Sequence, residues 1–97
     1  MVTVRATEEF DSWLGGLRDQ RAMARITSRI KAIERGVRGD VKSLSRGLYE
    51  YRVDYGPDYR LYAAQHGVDL VILLCGGDKR RQDADIRRAR TMLAELE

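Results

Sequence analysis

Arg52 and Arg60 stand eight residues apart on either side of a turn signal in LYEYRVDYGPDYRLY. From Tyr49 this run alternates: Tyr49, Tyr51, Val53 and Tyr55 point one way and Glu50, Arg52 and Asp54 the other, the pattern of a half-buried strand. Gly56-Pro57-Asp58 reads as a turn, since Pro fixes φ and Gly and Asp tolerate turn geometry, and Tyr59 to His66 returns antiparallel. A three-residue loop would set Tyr55 opposite Tyr59, Val53 opposite Leu61, Tyr51 opposite Ala63, Arg52 opposite Tyr62 and Asp54 opposite Arg60. The polar side then gathers Glu50, Arg52, Asp54, Arg60 and Tyr62. Two guanidiniums held close together on a rigid sheet make a candidate phosphate cradle, because Arg offers planar bidentate donors and stays charged.

Further cations join them: Lys42 before the hairpin, and Lys79, Arg80 and Arg81 where an apolar run gives way to a polar segment. Such a set can cleave RNA, whose 2′-hydroxyl supplies the nucleophile. The protein must take that hydroxyl's proton, stabilise the charge added at phosphorus and protonate the departing 5′-oxygen. Lys42 or Lys79, crowded by other cations, is the candidate base. Arg52 and Arg60 are assigned to clamping the phosphate. Tyr62 could stack on a base or donate a proton, or simply pack against the last helix. Glu50 and Asp54 could orient the arginines, or Asp54 and Arg60 could form an ordinary cross-strand pair. Zinc spacing, a P-loop, a dinucleotide fingerprint and a nucleophile triad are all missing, so neither a metal nor another cofactor is expected. His66 falls at a hairpin turn and reads as a bystander. The single Cys75, inside LVILLC, reads as a small buried thiol.

These residues need elements to hold them. Val2 to Arg5 is short and β-branched, an edge or first strand. Thr7 caps a short helix through Phe10, Trp13, Leu14 and Leu17, with Glu8 and Glu9 in its first turn. Asp19 caps a second, whose apolar positions Ala22, Ile26, Ile30 and Ile33 follow a helical stripe and which Gly36 ends. This helical pair would cover the Tyr51, Val53, Leu61 and Ala63 face. Val41 to Leu44 is a short strand. Gly67-Val68-Asp69 turns the chain into Leu70 to Cys75, apolar on both faces as a central strand should be. Ile86, Ala89, Leu93 and Leu96 form a last stripe, able to cover the second face around Ile72 and Leu74.

Ninety-seven residues with 43% hydrophobic content predict one domain spanning residues 1–97. Neither a membrane-length apolar run nor a signal-peptide core is evident, so a cytoplasmic location is expected. Net charge is only +3, but eight basic side chains lie between Arg21 and Arg46 and six between Lys79 and Arg90. Clusters of this kind suit a polyanion or an acidic partner. For most of Arg18, Arg21, Arg25 and Arg29 a solvated helix face is the plainer reading.

GLYEYRVDYGPDYRLY, the strand ending LLCGGDK, the segment QDADI, TEEFDSWL and DQRAMARITSRIKAIERG together resemble the RelE/ParE toxin superfamily, nearest its compact phage-derived HigB-like branch of addiction module killer proteins. The resemblance covers nearly the whole chain. It implies a small α+β RelE-like domain in which two N-terminal helices pack on an antiparallel sheet with a C-terminal helix. It further implies the toxin of a type II toxin–antitoxin pair that cuts messenger RNA at the ribosome, a cognate antitoxin of helix-turn-helix type, and operator DNA reached only through that antitoxin. Matched by position, Arg52 and Arg60 are the sheet arginines and Lys79 with Arg80 the basic loop; Lys42 matches loosely. A stacking tyrosine that some relatives carry early in the last helix is replaced here by Gln82, Asp83, Ala84 and Asp85. A ParE-like gyrase poison and a non-catalytic basic binding module are the alternatives.

Overall fold

The computed structural model describes residues 1–96, the Ser45 side chain excepted. Along the chain run β1 (Thr3–Ala6), α1 (Glu8–Gly15), α2 (Gln20–Glu34), β2 (Val41–Ser45), β3 (Leu48–Val53), β4 (Tyr59–His66), β5 (Leu70–Asp78), a 3₁₀ turn (Lys79–Arg81) and α3 (Gln82–Leu96). The strands form one sheet in the order β1-β5-β4-β3-β2. No helix among the described residues is long and apolar enough to cross a membrane.

The helix starts follow from local hydrogen bonding. Thr7 Oγ1 accepts from the Phe10 amide, and Asp19 Oδ1 accepts from the Arg21 and Ala22 amides, so each side chain satisfies donors that a first turn leaves open. Thr7 also donates to the Leu74 carbonyl at 2.7 Å, which ties the start of α1 to the central strand. Past α2, Gly36 takes φ 86°, a left-handed conformation that favours glycine.

Two cores lie on opposite faces of the sheet. Phe10, Ala22, Ile26 and Ile33 pack with Tyr51, Val53, Tyr59, Leu61, Ala63, Val71 and Leu73 on one. Ala89, Met92 and Leu93 of α3 pack with Leu48, Tyr62, Ala64, Leu74 and Cys75 on the other. Ile30 is only partly buried, and Leu96 is 48% exposed while Met92 takes the place expected for it.

The sheet is mixed where an antiparallel one was expected: β1 runs parallel to β5, with Thr3 opposite Leu70 and Ala6 opposite Leu73. A short β-branched segment carries no signal of its direction, and the long path through two helices and three strands allows the parallel return. The β3–β4 hairpin also differs. Arg52 pairs with Arg60, Tyr51 with Leu61 and Glu50 with Tyr62, two residues from the expected register. Asp54 and Tyr55 are drawn into the loop, where the Tyr55 amide donates to the Val53 carbonyl and the Asp58 amide to the Tyr55 carbonyl, with Gly56 and Asp58 both at positive φ. A shift of two preserves which side chains share a face. It removes the cross-strand neighbours expected for Asp54 and Arg60.

Candidate functional site

The register sets two like charges directly opposite one another, an arrangement that is destabilising unless something offsets it. Glu50 is the offset. Its carboxylate, wholly buried, accepts from Arg52 Nε at 3.2 Å, the Tyr62 hydroxyl at 3.1 Å and Gln82 Nε2 at 2.9 Å. Burial alone would push this carboxyl up, but the hydrogen bonds from Gln82, Arg52 and Tyr62 outweigh it and hold the group below its ordinary value. Arg52 is fixed through its backbone as well: its amide donates to the Asp40 carbonyl at 2.9 Å and its carbonyl accepts from Arg29 Nε at 3.3 Å. About a third of the Arg52 side chain stays exposed.

Arg60 is 8% exposed and donates from one terminal nitrogen to the Asp58 carbonyl at 2.9 Å, while its Nε is buried without an acceptor among the described residues. Beyond Arg60 in the sheet lies Gly77. A Cβ there would overlap the Asp85 carboxylate, which α3 lays against the bare backbone. Asp85 Oδ2 is likewise buried with no donor, and burial pushes its carboxyl up, with Arg81 pulling it back and Asp78 and Glu9 adding to the rise. An unsatisfied donor on β4 thus lies opposite the strand residue over which α3 places an unsatisfied acceptor. Arg52 and Arg60 line an open cleft with Asp40, Val53, Asp54, Asp58 and Tyr59.

The other expected residues divide. Lys42 is exposed on β2 opposite Glu50, which puts it on the arginine face. Lys79 is exposed at the same end of the sheet, its amide donating to the Pro57 carbonyl at 3.3 Å across the hairpin mouth. Arg80 pairs with Asp78 at 3.2 Å, and Arg81 Nε lies 4.0 Å from Asp85; both are exposed and line a second open cleft at the start of α3. Tyr62 is a correction. It is 0% exposed, sealed beneath α3 with its hydroxyl on Glu50, so no ring face is open for a base to stack on, and burial raises its hydroxyl well above the ordinary value. Asp54 is exposed and forms no pair with Arg60 among the described residues.

Arg29 is a second correction. Its guanidinium donates to the Arg38 carbonyl, to the Asp40 carbonyl at 3.1 Å and to the Arg52 carbonyl at 3.3 Å, and lies 5.3 Å from the Tyr51 ring centre, so it fastens α2 to the strand that carries Arg52. Arg21 and Arg25 do sit on the exposed face of α2, whereas Arg18 lies exposed in the bend between α1 and α2. Cys75 is buried, and burial pushes its thiol up to about 12, far from a thiolate nucleophile at neutral pH.

Glu50 does hold an arginine, as the sequence allowed, but its burial and its contact with Gln82 of α3 escaped the sequence reading. Strand alternation placed Glu50 on the polar side, and only the packing of α3 over that side buries it.

An uncharacterized protein of Haemophilus influenzae is 46% identical over 95 residues, covering 98% of this chain and 96% of that protein. No family model matches the chain, and no solved structure matches it.

Proposed function

This chain belongs to one family with the Haemophilus influenzae protein, and we propose that it is a RelE/ParE-type toxin of the HigB-like branch, a metal-independent endoribonuclease that cuts messenger RNA on the ribosome. The observation that carries the reading is the direct pairing of Arg52 with Arg60, with a buried Arg60 Nε that has no acceptor among the described residues. An unpaired buried donor costs folding free energy, about 1–3 kcal/mol. A phosphate held in the cleft that Arg52 and Arg60 line would meet the guanidinium of this side chain.

In the reaction, the RNA's 2′-oxygen attacks phosphorus and gives up its proton, for which Lys79, exposed beside the hairpin mouth, is the candidate acceptor. Arg52 and Arg60 hold the non-bridging oxygens as negative charge builds. The bond from phosphorus to the 5′-oxygen breaks, that oxygen takes a proton from solvent water, and the products are a 2′,3′-cyclic phosphate and a free 5′-hydroxyl. Lys42, Arg80 and Arg81 bind the flanking RNA backbone. Asp40, Asp54, Asp58 and Asp85 around the arginines would repel free RNA, which fits a substrate delivered by the ribosome rather than captured from solution. A helix-turn-helix antitoxin silences the toxin and supplies its only link to operator DNA; the toxin acts in the cytoplasm.

The test is induction of the protein in a bacterium, with sequencing of RNA ends. Arg60→Ala should abolish growth inhibition and the cuts. Undiminished toxicity of a folded Arg60→Ala protein would overturn the assignment.

A further inference from the structure

We infer that Glu50 is a positioning residue for the nuclease reading above: it holds Arg52 by one edge and turns the other edge to the substrate, with Gln82 of α3 holding Glu50 in turn. The Glu50 carboxylate takes the Arg52 Nε edge at 3.2 Å, and the Arg52 terminal nitrogens make no hydrogen bond among the described residues. Those nitrogens are the ones that can fork onto a phosphate.

Stability alone does not account for a buried glutamate here. Replacing a buried ionic network by well-packed apolar side chains is often neutral or stabilising, so a fold does not need this carboxylate for its own sake. What the network supplies is geometry. Three donors reach Glu50 from three elements, β3, β4 and α3, and Arg52 is fixed again through its backbone by Asp40 and Arg29. Arg60 opposite has no carboxylate partner among the described residues. The two arginines thus have separate tasks: Arg52 is oriented in advance, and Arg60 waits for its acceptor.

The experiment compares the wild-type chain with Glu50→Gln and Gln82→Ala, each shown to be folded by its thermal melt. Two readouts follow: kcat and KM for cutting ribosome-bound mRNA, and hydrogen exchange of the Arg52 Nε proton by NMR on arginine-labelled protein, assigned with Arg52→Lys. Glu50→Gln keeps the shape and an acceptor for Tyr62 but loses the charge that holds Arg52. It should lower kcat about 100-fold with little change in KM, and speed Arg52 Nε exchange at least about tenfold, as displacement of a catalytic group by a fraction of its own length does. Gln82→Ala should shift both readouts the same way by less, and decides the matter if Glu50→Gln does not fold. Unchanged Arg52 exchange, or unchanged kcat in a folded variant, would overturn the positioning role. A wild-type chain that cuts no RNA would refute the nuclease reading alone, because the exchange measurement still reports whether Glu50 holds Arg52.

Discussion

Arg60 shows how a binding demand and a folding demand pull apart in one side chain. Its guanidinium is nearly buried with Nε unsatisfied, a state a folding domain would discard if stability were the only requirement. Arg60→Met should therefore leave the melting temperature level or raise it while growth inhibition disappears, a loss of about 10²–10³ in cutting rate being usual when one charge-stabilising donor is removed. A large fall in melting temperature would show instead that Arg60 is part of the structural frame. Glu50 makes the converse prediction, through pH. Because its carboxyl is held below the ordinary 4.5, its contribution to stability is complete above that value and is lost as pH falls through the lower folded one. Thermal melts of wild type and Glu50→Gln should differ most near neutrality and converge in acid, below the lowered folded value. A gap between the two that does not narrow in acid would place the carboxylate's effect elsewhere.

Among the elements, those that depend on local hydrogen bonds were the most legible. Thr7 and Asp19 start α1 and α2 as their spacing requires, and Ala22, Ile26 and Ile33 bury the expected stripe. Ile26, fully buried against the sheet, is the position where truncation should be felt most: Ile26→Ala should cost about 2–5 kcal/mol, and half-covered Ile30→Ala less, by denaturant melts. Register was harder, because the β3–β4 loop length turns on whether Asp54 and Tyr55 pair or turn, and the alternation of tyrosines is the same in both cases. The faces were therefore legible and the neighbours were not: Arg52 meets Arg60, where Tyr62 had been expected. Burial of Glu50 and Tyr62 was hidden for another reason. It depends on how closely α3 approaches, and that approach depends on Gly77 having no side chain, while Gly76 gives the same room to Trp13 of α1 on the other face. A Cβ at Gly76 would overlap the Trp13 ring on one face, and a Cβ at Gly77 the Asp85 carboxylate on the other. Gly76→Ala should accordingly cost about 1–3 kcal/mol by overpacking a wedged indole. For Gly77→Ala the clash is with a short side chain, so pairing it with Asp85→Ala should recover part of the lost stability. Strict additivity of the two would mean that they do not meet.

At the scale of the whole molecule, charge is distributed more unevenly than the net value of +3 implies. Residues 18–38 carry seven basic and two acidic side chains, so this stretch alone exceeds the total and the remainder is slightly acidic. A field of that kind draws RNA and DNA alike, and affinity for a nucleic acid cannot separate the nuclease from a gyrase poison or a binding module. Products can. Cleavage through the 2′-hydroxyl leaves ends that neither alternative produces. In a purified ribosome assay the cuts should end in 2′,3′-cyclic or 3′-phosphate and vanish when Arg60→Ala is combined with Lys79→Ala. Growth arrest with intact transcripts and double-strand DNA breaks would point to a ParE-like poison, since an agent that traps gyrase has no use for two cations converging on a scissile phosphate. Intact transcripts with undamaged DNA would leave the arginine pair as a binding surface only, and the unsatisfied Arg60 Nε as the contact that its partner completes.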